Sequence, residues 1–156
     1  MAKVYATPWH RFKFLLSGLL LILPVWFLYQ SLTPEFPDAL EEKAVGDYVI
    51  TPMPYELGPA YLHDGVYVKD FLLTFSSGNI ENIRQGVLNI GEAPLSINEV
   101  HNLTGEEGFV HGSRHGLHVH GLAKPQFNAQ DSIWLTLENW DGEVLTANWP
   151  LPVGLK

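Results

Sequence analysis

An unbroken apolar run near the N-terminus sets the first limit on what this chain can become. Phe12 to Leu32 reads FKFLLSGLLLILPVWFLYQSL, with no charged residue between Phe14 and Tyr29. That length suffices to cross a hydrocarbon core of ~30 Å as a helix. Trp9 stands at one end and Trp26 and Tyr29 near the other, where amphipathic rings favour the interface. Pro24 would break a helix in water but is tolerated within a span. The run has no polar face, which a buried helix of a soluble protein would show. It also lacks the small-x-small site of a cleaved signal peptide. The expectation is one transmembrane helix over residues 12–32, retained as an anchor.

Charge falls unevenly around it. Residues 1–34 hold Lys3, Arg11 and Lys13 and no acid, whereas the rest carries all 17 Asp and Glu against six Lys and Arg. By the positive-inside rule, residues 1–11 stay in the cytoplasm and everything after residue 32 is exported. The predicted location is the inner (cytoplasmic) membrane, single-pass, with a periplasmic or otherwise extracytoplasmic C-terminal domain. An acidic domain of this kind repels nucleic acid and attracts cations. Cysteine is absent, so the exported fold has no disulfides and no thiolate for metal binding or nucleophilic attack.

Residues 33–60 read as a Pro-rich tether and lead-in, because five of the eleven prolines lie there (Pro34, Pro37, Pro52, Pro54 and Pro59). A short helical turn is expected over 38–44. Residues 61–156 then form one domain. Strands are expected over 65–75, 83–90, 95–100, 132–138 and 143–149, with turns at Ser76–Asn79, Gly91–Pro94 and Asp141-Gly142. Ile133, Leu135 and Leu137 alternate with Trp134, Thr136 and Glu138, the period of a strand with two unlike faces. With no helical period after residue 45, the fold class is all-β, an antiparallel β-sandwich behind one N-terminal helix.

Seven histidines occur, and four fall within ten residues: His111, His115, His118 and His120. Imidazole suits Zn, Cu, Ni and Fe, and several nitrogens must converge on one ion. On a strand, His118 and His120 project from the same face. Gly112, Gly116 and Gly121 free the backbone to bring His111 and His115 back towards them. His101, Glu106 and Glu107 precede the cluster and offer a further nitrogen or oxygen. His63 reads as a turn residue before a strand. Without Cys, and with only Met1 and Met53, the donor set favours Zn(II) or Cu(II) over Cu(I). No G-x-S-x-G, H-E-x-x-H or phosphate loop is present, so a non-enzymatic role is expected.

The stretch HGLHVHGLAKPQFNAQDSIWLTLENWDGEVLTANWPL resembles the end of the periplasmic copper chaperones of the PCuAC type. Upstream, GVLNIGEAPLSINEV is similar to their strand–"N-x-G"–strand segment. The resemblance covers roughly residues 86–151 and implies a cupredoxin-like β-sandwich that carries copper. Aligned on Gly121-Leu122, the family's two methionines fall on His118 and His120. Its histidine falls on Gly116, with His115 one residue out of register, and His101 or His111 stands in for its remaining ligands. The expected function is an anchored extracytoplasmic protein that binds Cu or Zn for delivery, uptake or metalloenzyme assembly. Its partners would be the transition-metal ion, the membrane, and a membrane transporter or metalloenzyme complex. The alternative is a non-catalytic accessory subunit of a membrane complex, whose interface would be an exposed patch among Trp134, Trp140 and Trp149.

Overall fold

The computed structural model describes residues 8–103, 106–113 and 116–155. It divides into two compact units, Met1–Glu35 and Phe36–Lys156.

The first unit is one helix, α1 (Pro8–Leu32), with Pro24 inside it. Between Phe14 and Leu28 its large side chains are apolar on every side and exposed, among them Phe14, Leu15, Phe27 and Leu28. A helix of that kind has no water-facing side, and Phe12–Leu32 is long and apolar enough to cross a membrane.

The second unit is mostly strand. Its elements are β1 (Lys43–Val45), β2 (Tyr48–Pro54), β3 (Tyr61–His63), β4 (Val66–Ser77), β5 (Ile83–Gly91), α2 (Ile97–Leu103), β6 (His111–Ser113), β7 (Gly116–Leu122), β8 (Ser132–Asn139) and β9 (Val144–Pro150). The strands run β1-β2-β4-β7-β5-β8-β9 in one sheet, with β3 added to β4 and β6 added to β7. All pairings are antiparallel except β5 with β7. Two bonds draw the sheet's ends together: Lys43 Nζ donates to Asn148 O at 2.7 Å and Trp149 Nε1 to Glu41 O at 2.6 Å. The sheet is therefore nearly closed and barrel-like, where two separate sheets were expected. The difference lies at β7, which pairs with β4 along its length and touches β5 at Asn89–Leu122, joining both halves.

Alternation builds the interior. Ile50, Phe71, Leu73, Leu88, Ile133, Leu135, Leu137 and Trp149 are fully or almost fully buried in one cluster. Burial of this apolar area supplies the main stabilising term for a domain without disulfides. Glycine sets the closest approach within it: a Cβ at Gly121 would collide with the Leu88 side chain.

Three expectations need correction. The lead-in over 33–60 supplies two strands of the sheet, β1 and β2. Pro52 and Pro54 fit there because β1 pairs only as far as Ile50, so the strand's far side has no partner strand needing their N–H. The helical turn over 38–44 is absent; the chain there is irregular and then enters β1. The strand expected over 95–100 is the start of α2. Ser96 and Glu99 form a reciprocal cap, with Glu99 Oε2 accepting from Ser96 N at 2.7 Å and Ser96 Oγ from Glu99 N at 3.3 Å. Ile97 and Val100, one turn apart, bury against Val87 and Leu122. The strand–turn–strand half of the family resemblance is thus strand–turn–helix.

Candidate metal centre

The centre is assembled from short pairings around the β4–β7 pair. Asp70 on β4 lies opposite His120 on β7, and Leu72 opposite His118. His118 and His120 share a face with Asp70, as period-two alternation requires. β6 folds back on β7 so that His111 lies directly opposite His118. Gly112 makes this possible: its φ is 138°, and a Cβ there would stand 2.6 Å from Gly116 O. On the other side, Asp64-Gly65 forms a two-residue turn with both φ values positive, 43° and 88°. That hairpin sets His63 opposite Val66 and Tyr61 opposite Val68, on the Asp70 face.

The rings converge. His118 Nδ1 and His111 Nε2 stand 3.1 Å apart. The His118 and His120 ring centroids are 4.5 Å apart, those of His111 and His120 6.1 Å, and those of His63 and His120 5.1 Å. Ligand atoms of Asp70, His118 and His120 all lie within 4.8 Å of one another. Two nitrogens each ~2.0–2.1 Å from one ion are separated by about 2.9–3.4 Å, for bond angles between square and tetrahedral. The His111–His118 separation meets that condition.

Electrostatics favours a neutral imidazole at His118. Burial, and then the neighbouring His120 and His111, hold His118 below the usual histidine pKa. A neutral ring keeps a lone pair for a metal. Asp70 Oδ1 lies 2.6 Å from His120 Nδ1, so it accepts that proton and leaves Nε2 as the donor atom. Tyr61 OH donates to both Asp70 oxygens at 2.9 and 3.0 Å. Burial, and then this bond to a carboxylate, push the Tyr61 phenol up to about 12. The phenol therefore remains a donor that holds Asp70 in place.

A second face of the centre comes from the loop before β6. Leu88 N donates to Gly108 O and Gly108 N donates to His120 O, which lays this loop between β5 and β7. It brings Glu107, with a side chain only 11% exposed, to 3.5 Å from His63 Nε2. A cavity of about 470 Å³ opens here, lined by His63, Asp64, His101, Glu107, His111 and His120 among others.

A family model matches residues 8–152 of the chain. The chain belongs to the family described as uncharacterised conserved protein UCP029505. No curated protein and no solved structure matches it. The UCP029505 match extends from α1 through β9, so the apolar helix and the sheet domain both lie within the family's shared length.

The structure brings together three of the five histidines singled out from sequence: His111, His118 and His120. His101 sits in the last turn of α2 with its ring on Phe109, centroids 4.5 Å apart; it lines the cavity but does not stand in the ring cluster. His115 lies outside the described residues. His63, read as a turn residue, does precede a turn, yet its ring packs against His120. The histidine-rich segment does not point to Asp70 and Tyr61, which are distant from it in sequence. The signal that locates them is the Asp64-Gly65 dipeptide, which fixes the β3–β4 register and hence the shared face. The tryptophans do not form one patch: Trp149 is buried, Trp134 is half-buried and bonded to Gly91 O, and Trp140 is exposed.

Proposed function

We propose that this UCP029505 member is a membrane-anchored, extracytoplasmic, non-catalytic carrier of a transition-metal ion, Zn(II) or Cu(II). His111, His118 and His120 would supply nitrogens, and Asp70 would orient His120. One observation carries the reading: the 3.1 Å separation of His111 Nε2 and His118 Nδ1, with His120 beside them. Without an ion the pair makes an N–H···N hydrogen bond, His118 Nδ1 donating to His111 Nε2 while His111 Nδ1 donates to Phe109 O; an ion between the rings would replace that bond and use both lone pairs. The depressed His118 pKa and the surplus of acids around the domain support it.

The rest of the reading follows from the anchor. With Lys3 and Arg11 before the span, Lys13 at its very start and acids after it, the sheet domain faces away from the cytoplasm. A carrier held there would serve a membrane transporter or a metalloenzyme under assembly. The resemblance to PCuAC-type chaperones is part of the same proposal. So is its cupredoxin-like sandwich, because the β2–β4–β7 and β5–β8–β9 halves of the sheet share one apolar cluster, as sandwich layers do.

The test is competition calorimetry on the full chain in detergent micelles with Zn(II), Cu(II) and Cu(I), repeated on a variant with His111, His118 and His120 all changed to Ala. The expected result is one tight site per chain for Zn(II) or Cu(II), absent from the variant. Equally weak binding of all three ions, unchanged in the variant, would overturn it.

A further inference from the structure

We infer that the chain has a second divalent-cation site, made by His63, Asp64 and Glu107, beside the three-histidine centre. A ligand atom from each of these residues lies within 4.8 Å of the other two. They come from two separate segments, the β3–β4 turn and the loop before β6. Each segment is fixed by backbone structure. The turn is held by the β3–β4 pairing, and the loop is stitched to β5 and β7 through Gly108.

One feature separates this group from an ordinary cluster of surface acids: Glu107 is nearly buried, with an 11% exposed side chain, and faces the His63 ring at 3.5 Å. Asp64 has a φ of 43°, which the two-residue Asp-Gly turn requires and Asp tolerates. The Asp64 carboxylate is thereby set beside Glu107. One nitrogen and two carboxylates form a harder donor set than three imidazoles. Such a set suits Zn(II), Co(II) or Mn(II) better than Cu(I).

The two groups are neighbours, because His63 touches both. Its Nε2 is 3.5 Å from Glu107 Oε1 and its ring centroid is 5.1 Å from that of His120. His63, Asp64 and Glu107 also line the same cavity as His111 and His120. An ion at the second site could pass to the histidine centre by an exchange of ligands around His63, without returning to solvent. The second site stands on its own geometry; its role as a stop for the carried ion rests on the function proposed above.

The experiment uses Co(II) alone. The full chain in detergent is dialysed to equilibrium and bound metal is counted per chain. The native chain should hold two ions. D64N and E107Q should each hold one, and H118A should also hold one. Asn tolerates a positive φ, so D64N preserves the turn even if E107Q disturbs the buried position. One ion in the native chain, lost in H118A and kept in D64N and E107Q, would overturn the second site and leave the histidine centre standing. One ion lost in D64N and E107Q but kept in H118A would uphold the second site and overturn the carrier centre. Two ions kept in both D64N and E107Q would place the second ion elsewhere and overturn the proposal.

Discussion

Asp70 is the residue on which the geometry of the centre turns, because it bonds His120 on one side and Tyr61 on the other. Replacing it with Asn keeps the shape but removes the charge that fixes the His120 tautomer. Loss of such a partner costs metal affinity about 10–100-fold. Asp70→Asn should therefore weaken the tight site by that factor in competition calorimetry, with an unchanged circular dichroism spectrum. The same variant should bring the Tyr61 phenol down from about 12, read as phenolate absorbance in an alkaline titration.

Outside the centre, Asp131 reports on acid stability. Burial works against its charge, yet hydrogen bonds from Lys124 Nζ at 2.8 Å and Asn128 N at 2.8 Å hold its pKa below the ordinary carboxylate value. A carboxylate depressed on folding stabilises above its unfolded pKa, and that stabilisation is lost as pH falls through the folded value. Asp131→Ala should cost about 1–3 kcal/mol at neutral pH, since it removes a buried carboxylate that accepts hydrogen bonds from Lys124 and Asn128. The cost should shrink as the pH is lowered. Denaturant melts at both pH values check the sign.

At the scale of elements, α2 shows why pattern alone misleads over short runs. Leu95–Val100 alternates like a strand, and by alternation it is one. Ser96 and Glu99 three apart carry the opposing signal, a capping box, and the structure follows the cap. Ser96→Ala should destabilise the domain by about 1 kcal/mol, seen as a lowered denaturation midpoint. The longer strands were legible because their turns carry unambiguous residues: Ser76–Asn79 closes β4, and Asp141-Gly142 separates β8 from β9. β1 and β2 were hidden by proline, which marks loops in general but is accepted on a strand whose far side is unpaired. At the candidate centre, sequence exposed the half that is local. His118 and His120 are two apart, and His111 reaches them through one hairpin. Asp70 arrives through the β4–β7 register, about fifty residues from His120 in sequence, and the β3–β4 hairpin sets Tyr61 and His63 on its face.

For the whole molecule, the helix and the sheet domain pose separate questions. The native chain has no cysteine, so single cysteines can be placed to report the sides of the membrane. With the proposed orientation, Asp141→Cys should react with a membrane-impermeant maleimide in intact cells, whereas Lys3→Cys should react only after lysis. The reverse pattern would place the sheet domain in the cytoplasm and remove the case for extracytoplasmic metal handling. The central claim is that His111, His118 and His120 hold one ion together. X-ray absorption of the full chain loaded with one equivalent of Zn(II) tests this most directly. The account predicts a first shell of nitrogen and oxygen at ~2.0–2.1 Å, with the multiple-scattering signature of at least three imidazoles, reduced in His118→Ala. An oxygen-only shell with no imidazole scattering would contradict it.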